Sequence, residues 1–138
     1  MTPAIFSLQS YIFDKVFIDL STLDNNLPFT ININPKGQYN QSNGEFILSF
    51  TFEASQGKEN PNRIVSVSCK ASYKFNEPIA YENFPSMFFA NSIAILFPYI
   101  RAFVSTVTLQ ANLTPPIIIP TLNLTSLEET LKANTEIL

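Results

Sequence analysis

The sequence predicts an α+β fold in one domain, residues 1–138. A four-stranded antiparallel sheet, arranged as a meander, would be followed by a long and a short helix packed on one face. Alternating apolar and polar residues fill the first half of the chain, a long apolar stretch follows, and a short amphipathic segment ends it. Strands first and helices last is the element order of α+β domains. A chain of 138 residues ordinarily forms one domain with a single core.

The first predicted strand covers residues 5–20 and is rich in Phe, Ile, Val and Tyr. Strict alternation places Phe6 and Ile12 on one face and Tyr11 and Phe13 on the other, so both faces are partly apolar. A strand that is apolar on both sides needs cover on both sides. We therefore expect a helix on one face of the sheet and another subunit on the other.

Three more strands are predicted from the alternation of apolar and polar residues. A short second strand, residues 29–34, would end at Pro35 and Gly37. Residues 45–55 have the cleanest period of two, and residues 63–75 form the returning strand. Short connections between these strands predict an antiparallel meander.

The apolar stretch at residues 84–113 predicts a long helix, because its large apolar residues recur at i, i+3, i+4 and i+7. Pro98 cannot donate to the carbonyl of Ala94, so a kink or break is expected there. A transmembrane span is the rival interpretation. We reject it because the uncharged run ends at Arg101, falls short of the roughly twenty residues that a span needs, and is followed by no basic cluster.

The end of the chain predicts an irregular loop and a short helix. Residues 113–124 contain three prolines, which prevent regular structure, although the segment is as apolar as a core strand. Thr125 or Ser126 would cap a helix over residues 127–134, with Glu128 and Glu129 in its first turn.

Charged residues make up only 14% of the chain, where about 25% is usual. A small domain has a large surface to solvate, so this deficit indicates that other subunits or bound partners cover part of it. The net charge of −3 and the absence of a basic cluster argue against nucleic-acid binding.

The chain contains no histidine and a single cysteine, Cys69. The commonest general base and metal ligand are therefore missing, and we expect no catalytic residue, metal site or cofactor, and no enzymatic activity. Cys69 lies on the apolar face of its predicted strand and is interpreted as a small buried hydrophobe. The N-terminus lacks the pattern of a signal peptide, which predicts a cytoplasmic protein.

The string Leu-Phe-Pro-Tyr-Ile-Arg at residues 96–101, followed by Pro115-Pro116 and by Leu-Asn-Leu at residues 122–124, resembles the signature of SecB-type protein-export chaperones. The first strand, from Phe6 toward Asp19, is similar to that of the family in spacing. The chain is identified as a divergent member. The resemblance implies a SecB-like fold and a homotetramer, a dimer of dimers. It also implies an ATP-independent holdase that keeps unfolded preproteins translocation-competent in apolar grooves and passes them to the SecA motor.

The resemblance also suggests roles for particular residues. The client groove would comprise Pro115, Pro116, Ile117, Ile118, Ile119, Leu122, Phe97 and Tyr99. For the isoleucines the alternative is that they only pin the loop to the helix. The apolar face of the fourth strand would form the subunit interface through Val65, Val67, Cys69 and Ala71, and we expect Val67→Asp to split the assembly without unfolding the protomer.

Asp19 matches a position where the family docks its motor, but Lys15 and Lys70 stand where the family carries acidic residues. These two reversed charges would oppose a basic partner. A SecB-like chaperone for a dedicated client, such as an antitoxin, is therefore an alternative. A domain that binds a small apolar ligand is another.

Overall fold

A computed structural model describes residues 5–120 and 123–138. Its elements in chain order are β1 (Phe6–Ile18), β2 (Thr30–Asn40), β3 (Glu45–Gln56), β4 (Asn62–Phe75), a 3-10 turn (Tyr81–Asn83), α1 (Phe88–Gln110), α2 (Leu124–Ala133) and β5 (Thr135–Ile137). The fold is α+β, as predicted, with both helices on one face of the sheet.

The sheet has five strands in the order β1-β4-β3-β2-β5 and is mixed, whereas the sequence predicted four antiparallel strands. β1 pairs with β4 rather than with β2. The predicted meander is therefore wrong for the connection between β1 and β2, which are not neighbours in the sheet. The chain crosses over the end of the sheet between β1 and β2 and then forms two hairpins. β5 pairs parallel to β2 over three residues, a strand too short to show a period in sequence.

β2 continues through Pro35 and Gly37, the two residues predicted to end it. β2 has β5 on its outer side only from Gly37 to Tyr39, so at Pro35 it is an edge strand, where a missing N–H is tolerated. Gly37 is needed for close packing: a Cβ there would collide with the Phe46 ring and the Thr135 hydroxyl. Its small size lets β5 and Phe46 approach the same backbone.

Two irregularities in β1 explain why both of its faces looked apolar. The pairing with β4 shifts between Leu8 and Ser10 and again between Phe13 and Lys15. Each β-bulge inverts the phase of the alternation, so Tyr11 and Phe13 lie on the helix side together with Phe6 and Leu8. The Phe13 ring stacks on that of Phe103 with centroids 4.0 Å apart.

The opposite face of the sheet is mainly polar, which overturns the expectation that it needs an apolar cover. Serine, threonine and asparagine predominate among the β2, β3 and β4 side chains on that face. Lys70 forms an ion pair with Asp14 across it, with nitrogen and oxygen 3.8 Å apart. The exposed large apolar side chains on this face, Ile12 and Phe17, belong to β1.

The core lies between the helices and the helix-side faces of β3 and β4. α1 buries one stripe, which includes Phe88, Ile93, Leu96, Ile100 and Val104. The helix continues through Pro98, so of the expected kink or break the break does not occur. By length and mean hydropathy, 1.6, α1 alone among the described helices could cross a membrane, but this buried stripe packs on the sheet as a core helix does.

α2 begins earlier than predicted. Asn123 caps it by accepting a hydrogen bond from the Ser126 N–H (3.2 Å), so neither Thr125 nor Ser126 is the cap. Asparagine is as good a cap as serine, and Leu131 anchors the helix in the core.

Candidate functional site

An apolar groove of about 320 Å³ opens between the loop at residues 113–118 and the loop that joins β1 to β2. We call it the proline-loop groove. Its floor is formed by Phe29 and Ile31, at the start of β2. Pro115, Pro116, Ile117 and Ile118 line one wall, and Leu23, Asp24, Asn25 and Leu27 line the other.

The proline-rich wall is tied to α1 by its own backbone. The Ile117 N–H donates to the Thr108 hydroxyl oxygen (3.0 Å), and the Ser105 hydroxyl donates to the Ile117 carbonyl oxygen (3.3 Å). Ile117 and Ile119 are buried, whereas the side chain of Ile118 is 60% exposed. Ile117 therefore attaches the loop to α1, and Ile118 presents its exposed side chain to the groove. The prolines reduce the conformational entropy that the chain loses when this wall is ordered.

Gln56, at the end of β3, fastens the opposite wall. Its side-chain amide nitrogen donates to the carbonyl oxygens of Asp24 (2.9 Å) and Leu27 (3.1 Å), and its oxygen accepts from the Asp24 N–H (3.0 Å). Gln56 is only 4% exposed. This role was not predicted from the sequence, although Gln56 follows the apolar positions of β3 in their period of two, and a buried polar side chain there must find hydrogen-bond partners.

We expect Gln56→Leu to loosen this wall, because it leaves the Asp24 N–H and the Leu27 carbonyl without their partner, whereas the Asp24 carbonyl keeps its hydrogen bond from the Leu27 N–H. Each unsatisfied buried group costs about 1–3 kcal/mol, and part of the loop can recover water. A lower urea midpoint and faster hydrogen exchange at Asp24 would show this. Gln38→Leu, at an exposed site on β2, is the control. Equal behaviour of the two variants would mean that the loop keeps its place by other contacts.

Other residues predicted for the groove lie elsewhere. Phe97 is half-buried against the core, and Tyr99 lies on the exposed side of α1 with its ring centroid 4.6 Å from that of Tyr11. Neither lines the proline-loop groove. Leu122 lies outside the described residues.

The predicted interface residues are in the protomer's own core. Val65, Val67, Cys69 and Ala71 are almost completely buried beneath the helices. These side chains therefore cannot contact another subunit, which corrects the assignment. Burial raises the pKa of the Cys69 thiol to about 11, as expected for a small buried hydrophobe.

Asp19 is exposed just after β1. Its carboxylate accepts hydrogen bonds from the hydroxyl and the backbone N–H of Ser21, which lower the pKa of Asp19. Lys15 is exposed on β1, and Lys70 forms an ion pair with Asp14. The charges along β1 and the neighbouring part of β4 are therefore mixed in sign. Among residues 5–120 and 123–138, no group of His, Cys, Asp and Glu could hold a metal ion.

No protein-family model matches the chain. It is 33% identical over 120 residues to the uncharacterized protein MJ0357 of Methanocaldococcus jannaschii, covering 82% of this chain and 76% of that protein. A solved structure of the Mycobacterium tuberculosis SecB-like chaperone Rv1957, in complex with a ChAD peptide from the HigA1 antitoxin, aligns with a TM-score of 0.66 and 14% identity. That alignment covers 85% of this chain and 90% of Rv1957, which supports a SecB-like fold. A Streptococcus agalactiae protein of unknown function aligns over 84% of this chain and 97% of its own, with a TM-score of 0.48 and 10% identity.

Proposed function

Since the chain belongs to the family of the Methanocaldococcus jannaschii protein MJ0357 and has a SecB-like fold, we propose that it is a divergent SecB-type holdase chaperone. It would bind unfolded polypeptides in the proline-loop groove without ATP. The observation that carries this proposal is an open apolar groove whose two walls are fastened by hydrogen bonds and which presents the exposed Ile118.

A holdase needs this combination of properties. It acts by binding the unfolded state, which shifts the folding equilibrium by mass action without any reaction. Fastened walls lower the entropy lost on binding, and apolar walls accept many different side chains. Among the described residues that line the groove, only Asp24 is ionisable. The proposed role is therefore non-enzymatic and needs no cofactor.

We propose a dedicated client in preference to a general export role. The strand that leads to Asp19 carries Lys15, and farther along it Asp14 forms an ion pair with Lys70; this mixed charge along β1 offers a basic motor little attraction. The antitoxin peptide bound by Rv1957 supports a peptide as the class of ligand. Preproteins delivered to SecA remain the alternative. We place either role in the cytoplasm.

Self-association through β1 and α1 is also part of the proposal. Among residues 5–120 and 123–138, β1 pairs only with β4, so no described strand covers the other edge of its 13 residues. Beside that edge, α1 exposes Ile95, Tyr99 and Leu109, and Arg101 is its only charge. A long open edge next to an apolar helix face is a surface that proteins normally cover. We propose a dimer across it, and a dimer of dimers as the complete assembly.

The groove is tested by changing Ile118, because its side chain is largely exposed and contributes little to stability. Purified protein at stoichiometric concentration should suppress aggregation of a chemically unfolded client, and Ile118→Asp should lose most of that activity. Met87→Asp is the matched control, since Met87 is 61% exposed and lies outside the groove.

Two results would count against the holdase. The unaltered protein could fail to protect the client, or both variants could retain full activity. A small apolar ligand is the alternative occupant, because about 320 Å³ lies near the lower limit of the roughly 300–1,000 Å³ of ligand pockets. Tight binding of a fatty acid without any client protection would favour it.

A further inference from the structure

We propose that the bound polypeptide adds to the sheet as a strand along the open edge of β2, next to β5. This inference rests on the proposed holdase function and specifies how an extended client would be recognised. The occupant is an unfolded segment with alternating apolar side chains. It would be held by backbone hydrogen bonds as well as by the groove.

The edge of β2 is only partly occupied by the chain itself. β3 pairs with β2 along its whole length, from Thr30 to Asn40. On the other side, β5 pairs only from Gly37 to Tyr39. Among the residues that the structure describes, no backbone hydrogen bond reaches that side of β2 before Gly37. β5 thus shows that the edge accepts an added strand. From Thr30 to Lys36 the described residues provide no backbone partner for it, and of this part only Pro35 is buried.

The bonds to β5 identify which backbone groups point outward. The Gly37 N–H donates to the Asn134 carbonyl oxygen (3.2 Å), and the Tyr39 carbonyl oxygen accepts from the Leu138 N–H (2.8 Å). Because backbone direction alternates along a strand, Ile31, Ile33 and Pro35 point the same way. Ile31 and Ile33 each offer one N–H and one carbonyl, whereas Pro35 offers a carbonyl alone.

The open edge and the proline-loop groove meet at the same end of β2. The side chains of Ile31 and Phe29 form the groove floor, and the Ile31 backbone lies on the edge beside it. Every second side chain of an added strand would enter the groove toward Pro116 and Ile118. The backbone bonds give affinity independent of sequence, and the groove gives a preference for apolar residues at alternate positions.

The first experiment uses a short synthetic peptide in which leucine and threonine alternate between terminal lysines. Hydrogen exchange followed by NMR should show the Ile31 and Ile33 amides slowed about a hundredfold at a peptide concentration a hundred times Kd. The Asn32 amide, which points toward β3, should change much less. Peptide binding without protection of Ile31 and Ile33 would overturn the added strand and leave the holdase proposal intact. No binding at all would count against the holdase itself.

A second experiment separates strand addition from side-chain binding. Two versions of the peptide carry backbone N-methyl groups, one at the leucines and the other at the threonines, with identical side chains. Because only alternate amides of an added strand face β2, one version should bind at least tenfold more weakly than the other. The version that fails reports whether the strand is parallel or antiparallel. Equal affinities of the two versions would contradict the proposal.

Discussion

We expect Val67→Asp to abolish the folded protomer. Val67 is buried in the centre of β4, between β1 and β3 and beneath the helices. Neither of its paired residues, Val16 and Phe52, offers a partner to a carboxylate. An unpaired charge in such a core costs about 4–5 kcal/mol or more, comparable to the roughly 5–15 kcal/mol that separates folded from unfolded domains. Circular dichroism and a urea titration would measure the loss.

Ser68→Asp is the matched control, because Ser68 is the next residue of β4 and lies on the polar face of the sheet. It should change the urea midpoint only slightly, although Asp14 is near enough to add mild repulsion. A folded Val67→Asp protein of reduced mass would restore the interface that the sequence predicted at Val67 and Cys69. If Val67 lies in the core of the protomer, Val67→Asp unfolds it; if Val67 lies in a subunit interface, the variant stays folded and has a lower mass.

The four longer strands and the long helix could be predicted because their burial follows a regular period. β3 is the clearest case: every second residue from Phe46 to Gln56 is buried. The faces of β1 were predicted incorrectly because two β-bulges change the phase of the alternation, and residue types alone do not locate a bulge. The pairing of β1 with β4 was also missed, since strand order depends on a crossover and on long-range contacts.

The groove was predictable only in part. Three prolines in an apolar segment marked one wall, and Pro115, Pro116 and Ile118 do line it. The other wall comes from residues 23–27, far away in sequence, and depends on the hydrogen bonds of Gln56. Tyr99 was assigned to the groove by resemblance but lies on the open side of α1, because helix rotation is fixed by packing against the sheet.

Part of the exposed apolar surface forms a band along α1 and β1, and this band favours self-association over insertion into a membrane. Tyr99, Ile95 and Leu109 follow one side of α1, and Tyr11 extends the band onto β1. The opposite side of the same helix is buried on the sheet. Another protomer can cover such a band while its own β1 edge pairs with this one, which satisfies backbone groups that lipid cannot satisfy.

Tyr99→Asp should therefore reduce the mass in solution, as measured by light scattering, without unfolding the protomer. Tyr99 is 44% exposed in the protomer, so its loss costs little internal packing. An aromatic residue in the centre of an interface contributes about 2–4 kcal/mol, which raises Kd by roughly 30- to 1,000-fold. Ile118→Asp is the control, because it should abolish client protection and leave the mass unchanged. A protein that is already a monomer, or a Tyr99→Asp variant of unchanged mass, would exclude this interface. The groove would then have to act from a single protomer, with only one short binding surface for each client and no avidity from neighbouring grooves.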